Sequence, residues 1–311
     1  MSDAVGYARL VNNLPKEPKS QPLGKRILTS KWTWITIVAI GVYSYCVFSF
    51  FSVLMEDVEV QGGKMPGINA SALRQAAWYA TPTLLFWILV FLIVDRFRPQ
   101  RPLLWFLSLG WGASVAVWVS FWVNTYAAAW MNVTGDGDPA SQARPAVFIA
   151  PFVEESAKAT VLFWLAILVR YRLVSRVSLI SLGGLSAAGF AFTENILYYA
   201  QVIFYATRTI GVGDAAVAIS ETVRMRGFFT CFGHPLFTVM TGIGLAIGLR
   251  ARSKLVRILA PLAGFLLAAG LHMLFNSQAS QDSAVLAYFM IGIPLVLAVV
   301  IYAVRQILAQ G

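Results

Sequence analysis

The sequence predicts an all-α integral membrane protein of about eight transmembrane helices with both termini cytoplasmic, and three observations predict it. First, 58% of the 311 residues are hydrophobic, only 12% are charged, and the mean hydropathy is +0.70, far from the make-up of a soluble domain. Second, apolar runs of about 18 residues or more, each able to cross roughly 30 Å of hydrocarbon, recur along nearly the whole chain after residue 31. Third, with a cytoplasmic N-terminus, 17 of the 24 Lys and Arg fall on the inner side, as the retention of positive loops in the cytoplasm requires.

Taken in order, residues 1–31 are polar, basic and broken by Pro15, Pro18 and Pro22, which predicts a flexible cytoplasmic tail. Spans are expected near 32–55, 75–94, 103–125, 146–169, 177–200, 226–249, 256–276 and 284–303. The first ends in Met55-Glu56-Asp57 rather than in small residues, so it reads as an uncleaved anchor. Without internal repeats and with mostly short loops, residues 32–311 are expected to form one polytopic domain. The outer loop 201–225 places Val217, Ile219 and Val223 among polar residues, a pattern that suits either a short helix lying on the membrane surface or an irregular loop. Gly244 and Gly248, four apart, predict a close helix crossing. Pro235 is expected to kink the sixth span and open room beside His234.

The net charge of +10 follows from this topology and from attraction to anionic inner-leaflet lipid, so it calls for a lipid bilayer and no nucleic-acid partner. The expected location is the plasma (cytoplasmic) membrane. Cys46 and Cys231 lie in different spans, form no Cys-x-x-Cys pair, and read as small apolar core residues.

Against this background a few ionisable residues inside the spans stand out: Glu154, Glu155 and Lys158 in the fourth, Glu194 in the fifth, His234 in the sixth and His272 in the seventh. Each would cost roughly 2.5–3.5 kcal/mol at the bilayer centre if it faced lipid, so they are expected to face one another. Glu154 lies nine residues in from Pro145 and His234 eight in from Arg226, which at about 1.5 Å per residue puts both roughly 12–14 Å below the outer boundary. Glu194 and His272 reach a similar level from the opposite direction, which places the cluster in the outer half of the bundle.

Spacing adds detail. Glu154 and Lys158 are four apart and share a helix face, while Glu155 is turned about 100° away. One carboxylate can pair with Lys158, leaving the other in apolar surroundings as a general base. His272 and Asn276 are also four apart and could together hydrogen-bond a developing oxyanion. A structural hydrogen-bond network and a proton- or ion-coupled transporter use the same residue types, but the inner halves of the spans continue no polar chain across the membrane.

At these residues the sequence resembles the PrsW family of intramembrane proteases, related to the CAAX prenyl proteases and bacteriocin-processing enzymes. The resemblance covers about 146–277 and rests on Glu154-Glu155-Ser156-Ala157-Lys158, on Phe192-Thr193-Glu194-Asn195 with Tyr198, on His234 in a span led by Arg226, and on His272-x-x-x-Asn276. CAAX enzymes usually carry Arg where Ala159 stands and Phe where Thr230 stands, which favours PrsW over prenyl-protein processing. The resemblance implies an endopeptidase acting on a membrane protein, in the type case an anti-sigma factor cut from its outer side.

Two mechanisms fit those residues. In one, needing no cofactor, Glu154 or Glu155 activates a water with His234, while His272 and Asn276 hold the oxyanion; Lys158 neutralises a glutamate, and Glu194 completes the polar wall. In the other, His234, His272 and a glutamate such as Glu154 bind Zn²⁺. The sequence favours the first slightly, since it contains no His-Glu-x-x-His motif.

Overall fold

The computed structural model describes residues 22–60, 63–96, 99–133, 144–169, 173, 177–206 and 214–279, with 294, 297–298, 301 and 304–305. Two compact units are distinguished, 1–41 and 42–311. In the first, α1 (Leu23–Thr29) is followed by the opening turns of α2 (Lys31–Met55). Trp34 Nε1 donates to Leu28 O at 2.9 Å across the Ser30 junction between them. The expected tail lies outside the described residues as far as residue 21, and its last part is α1.

Among its described residues, the second unit is helical apart from one small hairpin, β1 (Val58–Val60) against β2 (Gly63–Met65). The all-helical reading did not foresee it. Val58 and Val60 alternate with Glu59, a local β pattern that a loop between spans is free to follow. Next come α3 (Ala70–Asp95), capped by Asn69, then α4 (Pro102–Trp111), which runs through a π-helical turn at Gly112–Ala116 into α5 (Val117–Val133). A second π turn, Pro145–Ile149, leads into α6 (Ala150–Leu168), and α7 is Val177–Ala206. Of the two readings of the outer loop, a helix is found over part of it, α8 (Ala215–Arg224), followed by a third π turn at Met225–Phe229. Last are α9 (Gly233–Arg250) and α10 (Lys254–Ala279).

Among the described residues, six stretches are long and apolar enough to cross a membrane: Lys31–Met55, Ala70–Asp95, Pro102–Met131, Val177–Ala206, Ala215–Arg250, which is interrupted at Thr230–Phe232, and Lys254–Ser277. Residues 145–168 are helical over a comparable length but carry Glu154, Glu155 and Lys158. The span expected at 284–303 lies outside the described residues, except for 294, 297–298 and 301.

Helix α7 is the axis of the second unit and is buried on nearly all sides. An alanine stripe on α3, Ala72, Ala76 and Ala80, brings that helix close against Ile196, Tyr199, Ala200 and Ile203. Gly112 does the same on the other side, since a Cβ there would stand 1.7 Å from Ser186 O. The Gly244 and Gly248 pair packs α9 onto α10, with a Cβ on Gly244 falling 2.3 Å from Ala260 O. These close approaches fix the helices that carry the charged residues.

Each π turn frees a carbonyl for a side chain of another helix, because its i→i+5 pattern skips one acceptor. Thr193 Oγ1 donates to Ala113 O at 2.6 Å, Asn276 Nδ2 to Ala146 O at 2.8 Å, and Thr83 Oγ1 to Gly227 O at 2.9 Å. The irregular backbone is thereby satisfied inside protein, as a membrane interior demands.

Ahead of α9 the chain departs from expectation. Rather than kinking a continuous span, Pro235 sits in the first turn of a new helix, where its missing N–H costs nothing. The break lies at Thr230–Phe232. Trp87 Nε1 donates to Cys231 O at 2.9 Å, taking the acceptor four residues before the proline. His234 is thus delivered at a helix start, beside an opening.

Candidate active site

The polar residues expected to meet do meet. A cavity of about 330 Å³ is lined by Glu154, Glu194, His234, His272 and Asn276, with Asn124, Asn195, Tyr198 and Arg226 among the other walls. Glu155 and Lys158 do not line it; both are fully buried behind it.

Helix α6 supplies both kinds of residue. Glu155 Oε1 lies 2.7 Å from Lys158 Nζ and 3.1 Å from His272 Nδ1, while its Oε2 accepts from Thr238 Oγ1 at 2.7 Å. That carboxylate has a partner on each oxygen. Glu154 differs: Asn124 Nδ2 donates to Oε1 at 3.3 Å, and Oε2 is buried with no hydrogen bond, 3.7 Å from Lys158 Nζ. So the lysine that shares a face with Glu154 in sequence bonds more closely to Glu155, and Glu154 is the open carboxylate.

The histidines are held from behind. His272 Nδ1 faces Glu155 Oε1, so the Nδ1–H donates there and Nε2 keeps its lone pair, 3.8 Å from Glu154 Oε2. Its ring stacks on Phe237 at 4.9 Å between centroids and meets His234 edge-on at 5.0 Å. His234 is bound at both nitrogens, Nδ1 2.9 Å from Lys158 Nζ and Nε2 2.8 Å from Glu194 Oε2. The Lys158 ammonium also lies 4.2 Å over the Phe190 ring, a cation–π contact that helps a buried charge.

Several members escaped the sequence reading. Arg226, named there only as leading the sixth span, donates to Glu194 Oε2 at 2.7 Å and to Asn195 Oδ1 at 2.9 Å, and lies 3.8 Å over Tyr198. Asn124 reaches Glu154 from α5, and Thr238 reaches Glu155 one turn after His234. Neutral amides and hydroxyls do not stand out in an apolar span as charges do. Asn276 lines the cavity as expected, although one of its amide hydrogens is taken by Ala146 O.

Three donor groups, Glu154, His234 and His272, have ligand atoms within 4.8 Å of one another. Two His and one Glu form a donor set of catalytic zinc, and Glu155 behind His272 is the carboxylate that commonly orients a ligating imidazole. Glu154 Oε2, which accepts no hydrogen bond, and the His272 Nε2 lone pair can take up a cation, whereas His234 must exchange one hydrogen bond to join them. With that exchange the residues fit a divalent metal.

The model of the family described as "PrsW family intramembrane metalloprotease" matches residues 99–304. The chain belongs to the PrsW family. No curated protein and no solved structure matches it. As a PrsW protein it is a peptidase, a multi-pass membrane protein of apolar helices whose substrate is a membrane protein within the bilayer. The match spans all seven residues singled out from the sequence, together with Asn124, Arg226 and Thr238.

Proposed function

We propose that this PrsW protein is an endopeptidase that cuts its membrane substrate near the outer face of the plasma membrane, with Glu154 as general base. The observation that carries this is Glu154 at the cavity wall, whose Oε2 accepts no hydrogen bond and lies 3.7 Å from Lys158 Nζ and 3.8 Å from His272 Nε2. A carboxylate oxygen without a donor accepts the proton of a water standing there, and general base catalysis of this kind contributes about 10²–10⁴-fold. Asn276 retains a second amide hydrogen for the oxyanion that forms as the peptide carbonyl is attacked. Glu155, Lys158 and Glu194 hold the imidazoles. The proton Glu154 receives then passes to the leaving amine.

A second reading is favoured by the family's description and by the clustering of three ligand groups: Glu154, His234 and His272 hold Zn²⁺. Such an ion, when bound, lowers the pKa of its water and polarises the carbonyl. Glu155 would orient His272 in either case.

We further propose eight spans with both termini cytoplasmic, the last at 284–303, and a single protease domain over 32–311. An anti-sigma factor is the proposed substrate, cleaved as a regulatory step. Cleavage of a tagged single-span substrate library by purified protein, with Glu154→Gln alongside, tests the assignment. Products from wild type and none from the folded variant support it; equal cutting by both ends it. Dialysis against a chelator, with return of activity on adding zinc, separates the two mechanisms.

A further inference from the structure

We propose that Arg226 is a positioning residue for His234 that acts through Glu194, an inference resting on the protease reading above. Three side chains of α7 fix its guanidinium. Nη2 donates to Glu194 Oε2 at 2.7 Å, Nε donates to Asn195 Oδ1 at 2.9 Å, and the Tyr198 ring lies 3.8 Å beneath. A planar fork held at two edges and one face has one orientation.

The same Glu194 oxygen lies 2.8 Å from His234 Nε2, so one atom serves both the arginine and the histidine. At the other end of the ring, Lys158 Nζ is 2.9 Å from Nδ1. An ammonium only donates, so Nδ1 accepts there and the ring hydrogen sits on Nε2, donated to Glu194. Lys158 thus sets the tautomer, and the chain Arg226, Glu194, His234 holds the donated Nε2–H and with it the plane of the imidazole. Without Arg226, Glu194 loses the partner that fixes its carboxylate plane, and the ring it orients is released with it.

The position of Arg226 in the chain adds a reason for this arrangement. It lies in the π turn Met225–Phe229, just before the break at Thr230–Phe232 from which His234 emerges. No continuous helix ties His234 to the outer segment, so the arginine supplies that tie through side chains.

A substrate-binding role is the competing explanation, because the Arg226 side chain lines the cavity and is 28% exposed. The two differ kinetically. Loss of a positioning residue lowers kcat with KM unchanged, whereas loss of a binding contact raises KM. The test uses purified full-length protein and a single-span fluorogenic substrate cut by wild type and spared by Glu154→Gln. Arg226→Gln is expected to lower kcat about 10- to 100-fold, the range for residues that orient a functional histidine, with KM unchanged. Methylguanidinium added to Arg226→Ala should restore part of the rate, and methylammonium should not. Glu194→Gln should lower kcat similarly, and the double variant should be no worse than the poorer single one. If Arg226→Gln fails to fold, Arg226→Lys, which keeps the charge but loses the fork, reads the same split.

A raised KM at unchanged kcat, full activity of the arginine variants, or multiplicative losses in the double variant would overturn the proposal. A wild type no faster than Glu154→Gln would instead overturn the protease reading on which it rests.

Discussion

Glu154 and Glu155 are neighbours in sequence, yet they belong to two different regions, the wall of the cavity and the packed layer behind it. Glu155 has Lys158, His272 and Thr238 on its oxygens, whereas Glu154 keeps one oxygen without a donor. A turn of about 100° between successive helical residues produces this division. Charges whose partners are complete fix geometry, and a charge left incomplete beside a cavity is able to do chemistry.

Substitutions can break or sharpen that comparison. The largest effect is expected from Lys158→Ala, which strands the fully buried Glu155 carboxylate; removing one member of a buried ion pair costs about 3–5 kcal/mol. Thermal or denaturant unfolding in detergent should show the loss, with activity lost alongside. Glu154→Gln should do the reverse, reducing cleavage about 10²–10⁴-fold while the melting temperature stays near that of wild type. A large drop in stability there would erase the distinction between the two glutamates. Thr238→Val removes the donor to Glu155 Oε2 and should cost about 1–3 kcal/mol, the penalty of a buried acceptor left unpaired. The smallest stability change is expected from Asn124→Ala, within about 1 kcal/mol, because its 3.3 Å bond to Glu154 is long; its effect should appear in kcat instead.

Much of this was legible in the sequence, for a physical reason. Charged residues inside apolar runs are costly enough to be conspicuous, so Glu154, Glu155, Lys158, Glu194, His234 and His272 could be picked out and expected to converge. Which glutamate is open was not legible, since spacing makes Lys158 a neighbour of both, and three-dimensional packing brings it to 2.7 Å from one and 3.7 Å from the other. The pairing of Arg226 with Glu194 was not legible, because a cation at a span boundary looks like a loop charge and spacing along the sequence does not show which helix it meets. The break before Pro235 was expected as a kink, because a proline signals disruption without saying whether the helix bends or restarts. The hairpin at 58–65 was missed, its β pattern being only three residues per strand.

The most direct test of the central claim is the single-turnover cleavage rate of a co-reconstituted single-span substrate by wild type, Glu154→Gln and Glu155→Gln, each with its melting temperature. The account predicts that Glu154→Gln stays folded and does not cut, while Glu155→Gln, deprived of the charge that balances Lys158, loses stability as well as activity. A folded Glu154→Gln protein that cuts at the wild-type rate would contradict it.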